Sequence, residues 1–307
     1  MTALPRAEEG VLMAPDVAHI GYHRTGTNFL QAEVFPAMAR DLHVPDGSGW
    51  ELFKLPTGAP LDLAAAEAFY GPRRAAAGEG RLLVMTHESL SGTITDDNLE
   101  TPARLARLNP AMRVLVVLRS QYSIFPSLYH LHVKGTGPLR YPDYLREALA
   151  GGKCDYLAMV ERLHEAFGPE RVWVGLYEDL QADAQGFVDG LSAFLGLASP
   201  RLAPRAEAVN RSPSLAVINA RRLGNALMGG SGAESEQRLT GWRHWLRERA
   251  AAVAHKSDAA LRTIGANGPA SLETAETRAL IAEQRGAGNR RLADLIRKPL
   301  DELGYPL

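Results

Sequence analysis

Residues 21–27 have the composition of a loop that binds an anion. They read Gly-Tyr-His-Arg-Thr-Gly-Thr and lie between a predicted strand and a predicted helix. At such a junction an α/β fold presents backbone N–H groups and the positive end of a helix to a phosphate. Arg24 adds a cation, and Thr25 and Thr27 add hydroxyl donors. The loop lacks the Gly-Lys-Ser/Thr ending of the Walker motif. A strand–helix turn that carries two glycines without a ligand is the alternative.

A second candidate anion site follows the most apolar predicted strand, 113–118. Arg119 ends this strand, and Ser127 lies eight positions later on the following helix. A guanidinium and a hydroxyl together form a suitable clamp for a phosphate monoester. Ligands of α/β sheets gather at the carboxyl ends of the strands, so Arg119 should lie beside the first loop if the two strands are neighbours. The alternative is an arginine that pairs with a helix-cap carboxylate.

The two motifs together resemble the donor site of sulfotransferases that use 3′-phosphoadenosine-5′-phosphosulfate (PAPS). In that family a Thr-Gly-Thr or Ser-Gly-Thr loop holds the 5′-phosphosulfate, and an Arg followed by a Ser holds the 3′-phosphate. The resemblance covers about residues 19–197 and implies PAPS as donor and 3′,5′-ADP (PAP) as product. It implies a donor-contacting set of His23, Arg24, Thr25, Gly26, Thr27, Asn28, Arg119, Ser127 and Tyr177.

Further segments agree with this resemblance, and two features depart from it. Tyr177 belongs to a strand that ends in Tyr-Glu-Asp, and Tyr129 has the family's spacing from Ser127. The family usually has Lys at the position of Arg24, where the cation touches the bridging oxygen and stabilises the departing phosphate. The resemblance gives Arg24 that catalytic role. The Arg-Lys-Gly segment of the animal cytosolic enzymes is absent, which leaves further contacts to the 3′-phosphate unassigned.

The base that takes the acceptor's proton is expected after the predicted strand 81–86. His87 and Glu88 follow that strand. His87 resembles the family's catalytic histidine and is the preferred base, and Glu88 is the alternative because some bacterial relatives use a carboxylate. No metal ion is required, since the cations and amides of the loop can hold the leaving group. His23, inside the loop, either contacts the phosphosulfate or points outward.

Strand patterns alternate with helical patterns along most of the chain. We predict strands at 17–22, 81–86, 113–118 and 171–176, and helices at 28–40, 61–70, 99–108, 123–134, 141–149, 155–167 and 184–195. Pro126 requires that its helix begin near Ser123 or be kinked. This alternation predicts a P-loop-like three-layer α/β/α fold with a mostly parallel central sheet. Residues 1–307 are expected to form one domain, with a donor-binding core at about 17–197 and additional C-terminal helices on the acceptor side at about 205–307.

The composition limits the partners of the protein. Its 307 residues include 34 basic and 35 acidic side chains, which argues against a surface that binds nucleic acid. No window is apolar enough for a membrane span, and the first ten residues do not resemble a signal peptide. The single cysteine, Cys154, excludes an intrachain disulfide and is expected to be a small buried hydrophobe. These observations predict a cytoplasmic protein.

The acceptor is expected to be a small molecule, carbohydrate or lipid that offers a hydroxyl or an amine, and no motif identifies it further. Trp242, His244 and Trp245 could wall its pocket or pack within a helix. Residues 228–236, rich in glycine and serine, could form a lid or a surface loop. The sequence leaves a homo-oligomer open. Two alternative functions remain: a P-loop small-molecule kinase that uses ATP and magnesium, and a nucleotide-binding module without catalysis.

Overall fold

The centre of the protein is a five-stranded parallel sheet. The computed structural model describes residues 14–202, 215–227, 249 and 272–307. Neighbouring strands pair in parallel in the order β2-β3-β1-β4-β5. The strands are β1 (Val17–Gly21), β2 (Leu42–His43), β3 (Leu82–His87), β4 (Arg113–Leu118) and β5 (Val172–Leu176). The predicted α/β class and mostly parallel sheet are confirmed.

Helices cover both faces of this sheet, and strand β4 illustrates why. Its alternate residues enter two separate apolar clusters, with Val114 and Val116 in one and Leu115 and Val117 in the other. A parallel strand that is buried on both faces needs such a continuous apolar run. The helices are α1 (Thr27–Phe29), α2 (Phe35–Ala37), α3 (Leu63–Ala77), α4 (Thr101–Leu108), α5 (Gln121–Lys134), α6 (Tyr141–Ala150), α7 (Tyr156–Phe167), α8 (Tyr177–Ala182), α9 (Ala184–Leu195), α10 (Leu215–Leu227) and α11 (Ala275–Ile296).

Several element boundaries differ from the predicted ones. Helix α5 begins at Gln121 rather than near Ser123, because the carbonyl of Ser120 accepts the first helical hydrogen bonds, and Pro126 is therefore inside the helix. Helix α3 continues past the predicted end at residue 70 to Ala77, with a proline inside it. A π-helical segment, Leu30–Val34, joins α1 to α2. The two-residue strand β2 was not predicted, since so short a strand leaves no readable periodicity.

The C-terminal helix α11 is held against the core by polar contacts. Asn289 and Gln121 exchange two amide hydrogen bonds of 3.0 and 3.1 Å, and Asn289 also donates to the carbonyl of Pro306 at 2.7 Å. Residues 228–236, Trp242, His244 and Trp245 lie outside the described residues. The acceptor-side role of residues 205–307 stays a prediction. Across the described ranges, no helix combines the length and apolarity needed to cross a membrane.

Cys154 is buried, as predicted for a small hydrophobe. Its side chain is inaccessible, and burial raises the pKa of the thiol to about 12. The thiolate is the reactive form of cysteine, so this thiol has little reactivity near neutral pH.

His19 should make the fold sensitive to acid. The imidazole is fully buried in β1, where Nδ1 lies 2.8 Å from Oγ1 of Thr86, and burial lowers its pKa from 6.5 to about 4. Between these values the unfolded chain binds a proton that the folded chain does not bind, so stability falls as pH falls. We expect His19 to account for about 2 kcal/mol of lost unfolding free energy between about pH 7 and pH 5. Urea titrations at both pH values, with His19→Gln as the comparison, measure this. Equal pH dependence in the two proteins would contradict the assignment.

Candidate active site

The predicted anion sites meet at one crevice of the sheet. Strand β1 lies between β3 and β4, and all three run in the same direction. The chain builds β2 and β3 on one side of β1 and then crosses to build β4 and β5 on the other side. Such a switch point opens a crevice at the carboxyl ends of the strands. The loop after β1, the residues after β3 and Arg119 after β4 all emerge there.

The loop between β1 and α1 depends on its glycines for close packing. The backbone of Gly26 has φ +90°, and a Cβ at this position would lie 2.7 Å from Cδ2 of Leu180. A Cβ at Gly21 would lie 2.5 Å from Oγ1 of Thr27. Arg24 also adopts a left-handed backbone, with φ 70°, which is uncommon for a residue with a side chain. The loop is therefore tightly turned, as an anion-binding loop needs to be.

The two threonines of the loop have different environments. The Thr25 hydroxyl donates to the carbonyl of Tyr22 at 2.7 Å, so it braces the loop internally. The Thr27 hydroxyl is buried and has no hydrogen-bond partner within the described ranges. A buried, unsatisfied hydroxyl is costly unless a ligand completes it. Asn28, which follows, is exposed.

His23 points into the protein rather than outward. Its Nε2 atom is buried and lacks a hydrogen-bond partner in the part of the chain that the structure describes. Burial, followed by the charges of Lys153 and His87, lowers the pKa of His23 to about 3. His23 is therefore a neutral imidazole near neutral pH.

Arg119 lies where the sequence predicted it, beside the loop. Its Nε donates to Oγ of Ser123 at 2.8 Å and its Nη1 to the carbonyl of Arg24 at 3.0 Å. The guanidinium carbon is 4.6 Å from the centroid of the Tyr177 ring, which places Tyr177 in the same crevice. Ser123 was missed in the sequence, although it precedes Ser127 by four positions and thus shares its helical face.

Arg24 and Ser127 contact each other directly. The Nε of Arg24 donates to Oγ of Ser127 at 2.8 Å. The resemblance assigned these side chains to opposite ends of the donor, Arg24 to the bridging oxygen and Ser127 to the 3′-phosphate. His130, three positions after Ser127, is half-buried, and its pKa is lowered by burial and then by the charge of Arg24. Tyr129 instead packs in the core and donates to the carbonyl of Leu139 at 3.0 Å.

The two candidate bases have different hydrogen-bonding roles. His87 ends β3, and its Nδ1 accepts the backbone N–H of Ser89 at 3.0 Å. A neutral imidazole that accepts at Nδ1 has its proton on Nε2 and is a donor there. Glu88 is half-buried and lies next to the anion loop, since its Cα is 3.3 Å from where a Cβ of Gly21 would be. Its carboxylate has no hydrogen bond or ion pair among the described residues. Glu88 is thus the candidate with a free acceptor atom.

A cleft opens beside His87. The Trp50 ring stacks on the His87 ring with centroids 4.8 Å apart and planes at 15°. Trp50 also lines a cleft of about 680 Å³, together with Phe53, Leu55 and Ser89. Its walls combine apolar side chains with hydroxyl, amide, ammonium and carboxylate groups, which can bind and orient a small polar molecule. No sequence pattern indicated a role for Trp50.

A buried ion pair lies beneath the anion loop. The Lys153 ammonium is 2.9 Å from Oδ1 of Asp97, which is an ion-pair distance, although the two groups are not in hydrogen-bonding geometry. The Lys153 side chain is 0% exposed and the Asp97 side chain is 1% exposed. The Tyr22 hydroxyl, at the start of the loop, donates to Oδ2 of Asp97 at 2.9 Å. The pair therefore braces the loop from below. No motif in the sequence pointed to it.

Comparisons with known proteins bear on the fold. No protein-family model matches the chain, and no curated protein does. A sulfotransferase from Alicyclobacillus acidocaldarius has a similar structure, with a TM-score of 0.55 at 14% identity over 94% of this chain and 98% of that chain. The mouse sulfotransferase SULT7A1, complexed with PAP, has a TM-score of 0.47 at 16% identity over 92% of this chain and 86% of its own. The first likeness shows a shared fold and confirms the fold that the sequence resemblance implied.

Proposed function

We propose that the protein is a sulfotransferase that transfers the sulfuryl group of PAPS to a hydroxyl or amine of a small-molecule, carbohydrate or lipid acceptor and releases PAP. One observation supports this function best. A tightly turned anion loop and two arginines without a carboxylate partner among the described residues lie together at the β1–β4 crevice. Such a site suits a ligand with two separated anionic groups, which a 3′,5′-bisphosphorylated nucleoside has.

The loop after β1 would hold the reacting phosphosulfate. Backbone N–H groups of residues 25–28 and the unsatisfied Thr27 hydroxyl would donate to its oxygens, and Thr25 would keep the loop turned. These groups are fixed before the ligand arrives, so they stabilise developing charge without reorganisation. Tyr177, whose ring lies over Arg119 and beside Gly26, would contact the adenosine.

Glu88 would take the proton of the acceptor. The acceptor oxygen or nitrogen would form a bond to sulfur while the bond from sulfur to the bridging oxygen breaks, and PAP would leave with that oxygen. The Nε2–H of His87 would donate to the acceptor or to a sulfuryl oxygen, since its Nδ1 is engaged by Ser89. The cleft beside Trp50 would hold the rest of the acceptor.

The donor assignment is tested by nucleotide binding. We expect calorimetric titration to show metal-independent binding of 3′,5′-ADP, and Arg119→Ala to weaken it by about 10- to 150-fold because a hydrogen bond to a charged group contributes about 1.5–3 kcal/mol. Arg171→Ala, which removes an exposed charge just before β5, serves as the control and should leave binding unchanged.

A parallel titration with ATP and magnesium distinguishes a sulfotransferase from a P-loop kinase. If ATP with magnesium binds and 3′,5′-ADP does not, the sulfotransferase proposal is wrong and a P-loop kinase takes its place. If 3′,5′-ADP binds but no acceptor in a broad panel receives sulfate from PAPS, the alternative of a nucleotide-binding module gains support.

A further inference from the structure

Arg24 and Arg119 converge on one face of helix α5. Arg24 donates to Ser127 and Arg119 donates to Ser123, each through Nε at 2.8 Å. Ser123 and Ser127 are four positions apart in α5, so their hydroxyls lie on the same helical face. The Nη1 of Arg119 also donates to the carbonyl of Arg24 at 3.0 Å. This contact holds the backbone of Arg24 against the side chain of Arg119.

The two guanidinium groups have no counter-charge within ion-pair distance in the described ranges. Glu178 is the carboxylate that acts on Arg119 electrostatically, but its two oxygens accept from the N–H of Ser120 at 2.9 Å and the hydroxyl of Tyr305 at 3.1 Å. Two neighbouring cations repel each other unless an anion lies between them. A site with two unpaired arginines and two serine hydroxyls is therefore suited to a dianion.

We propose that Arg24 and Arg119 form a two-arginine clamp for the 3′-phosphate of the donor, so that Arg24 recognises this phosphate rather than the bridging oxygen. The inference rests on the proposed function, in which the donor is PAPS. A phosphate monoester has two negative charges and three acceptor oxygens, which match two guanidinium groups and two hydroxyls. The clamp would supply the contacts that the Arg-Lys-Gly segment provides in the animal cytosolic enzymes. It would make Arg24 a determinant of specificity for 3′-phosphorylated nucleotides.

The exposure of Arg24 is compatible with this role. Arg24 is exposed and Arg119 is only partly buried, so the bonds to Ser127 and Ser123 can be exchanged for bonds to a phosphate at little cost. Planar guanidinium groups bind phosphate in a bidentate manner, which a lysine ammonium does not. Arginine at position 24 is therefore better suited to sharing one phosphate with Arg119 than lysine would be.

Two nucleotides that differ only in the 3′-phosphate test the clamp. We expect Arg24→Ala to weaken binding of 3′,5′-ADP by about 10- to 150-fold and binding of 5′-AMP by less than about threefold, because a lost charged hydrogen bond contributes about 1.5–3 kcal/mol. Arg24→Lys, which keeps the charge, should give an intermediate loss. Arg40→Ala removes an arginine whose side chain is 85% exposed and should change neither affinity.

Each other outcome has a defined meaning. If Arg24→Ala weakens both nucleotides equally, Arg24 acts at the 5′ end and the clamp is overturned. An unchanged affinity for 3′,5′-ADP would overturn it as well. A wild-type protein that binds neither nucleotide would instead refute the donor assignment, and the clamp with it. The result for wild type thus separates a failure of the proposed function from a failure of the clamp.

Discussion

Glu88→Gln is expected to lower kcat for sulfuryl transfer by about 10²- to 10⁴-fold, the usual contribution of a general base. The glutamine amide keeps the size of the side chain but cannot take a proton. Affinity for 3′,5′-ADP should stay within about twofold, because the base acts on the acceptor and not on the nucleotide. Steady-state kinetics with PAPS and any acceptor found to be turned over, together with calorimetry, measure both quantities.

His87→Gln is the matched comparison for Glu88→Gln. His87 accepts from Ser89 at Nδ1, so we expect it to donate through Nε2 and its loss to lower kcat by only about tenfold, the value of one hydrogen bond. A series of acceptors with decreasing hydroxyl pKa gives a second readout. In the variant that lacks the base, kcat should fall least for the most acidic acceptors, because their hydroxyl loses its proton most readily. If His87→Gln causes the larger loss, the base is His87, the residue that the sequence resemblance favoured.

The sheet and the crevice could be predicted from the sequence because their signals are local. Strands β1, β3, β4 and β5 are short apolar runs, and buried parallel strands require such runs. The sequence placed Arg119 at the end of a strand but left open whether that strand neighbours β1, and the strand order of the structure supplies this neighbour relation. The loop itself was recognisable from two glycines and their neighbours.

The contacts inside the crevice could not be predicted, because they depend on side-chain directions between distant segments. Arg24 and Ser127 are 103 positions apart, and nothing in either motif indicates that their side chains meet. The position of the proton on His87 depends on a hydrogen bond from a 3₁₀ turn, Glu88–Ser91, which has no clear sequence pattern. Lys153 lies in a glycine-containing turn that is typical of the surface, yet it is fully buried.

Lys153→Met is expected to lower the free energy of unfolding by about 3–5 kcal/mol, the usual cost of removing one partner of a buried ion pair. The methionine has a similar length and no charge, so Asp97 would remain buried without its cation. Burial already raises the pKa of Asp97, and Lys153 opposes this shift. Urea denaturation measures the effect, and Lys134→Met, at an exposed position on α5, is the control.

The double variant Lys153→Met with Asp97→Asn should be more stable than Lys153→Met alone. With both charges of the pair absent, the asparagine carbonyl can still accept from the Tyr22 hydroxyl, so neither member leaves its partner as an unpaired charge. A double variant as unstable as the single one, or a single variant within about 1 kcal/mol of wild type, would contradict the ion-pair interpretation. Because Tyr22 begins the anion loop, the folded fraction of Lys153→Met should also bind 3′,5′-ADP more weakly than wild type. Restored affinity in the double variant would show that the unpaired Asp97 charge, and not the loss of the ion pair itself, disturbs the loop in Lys153→Met.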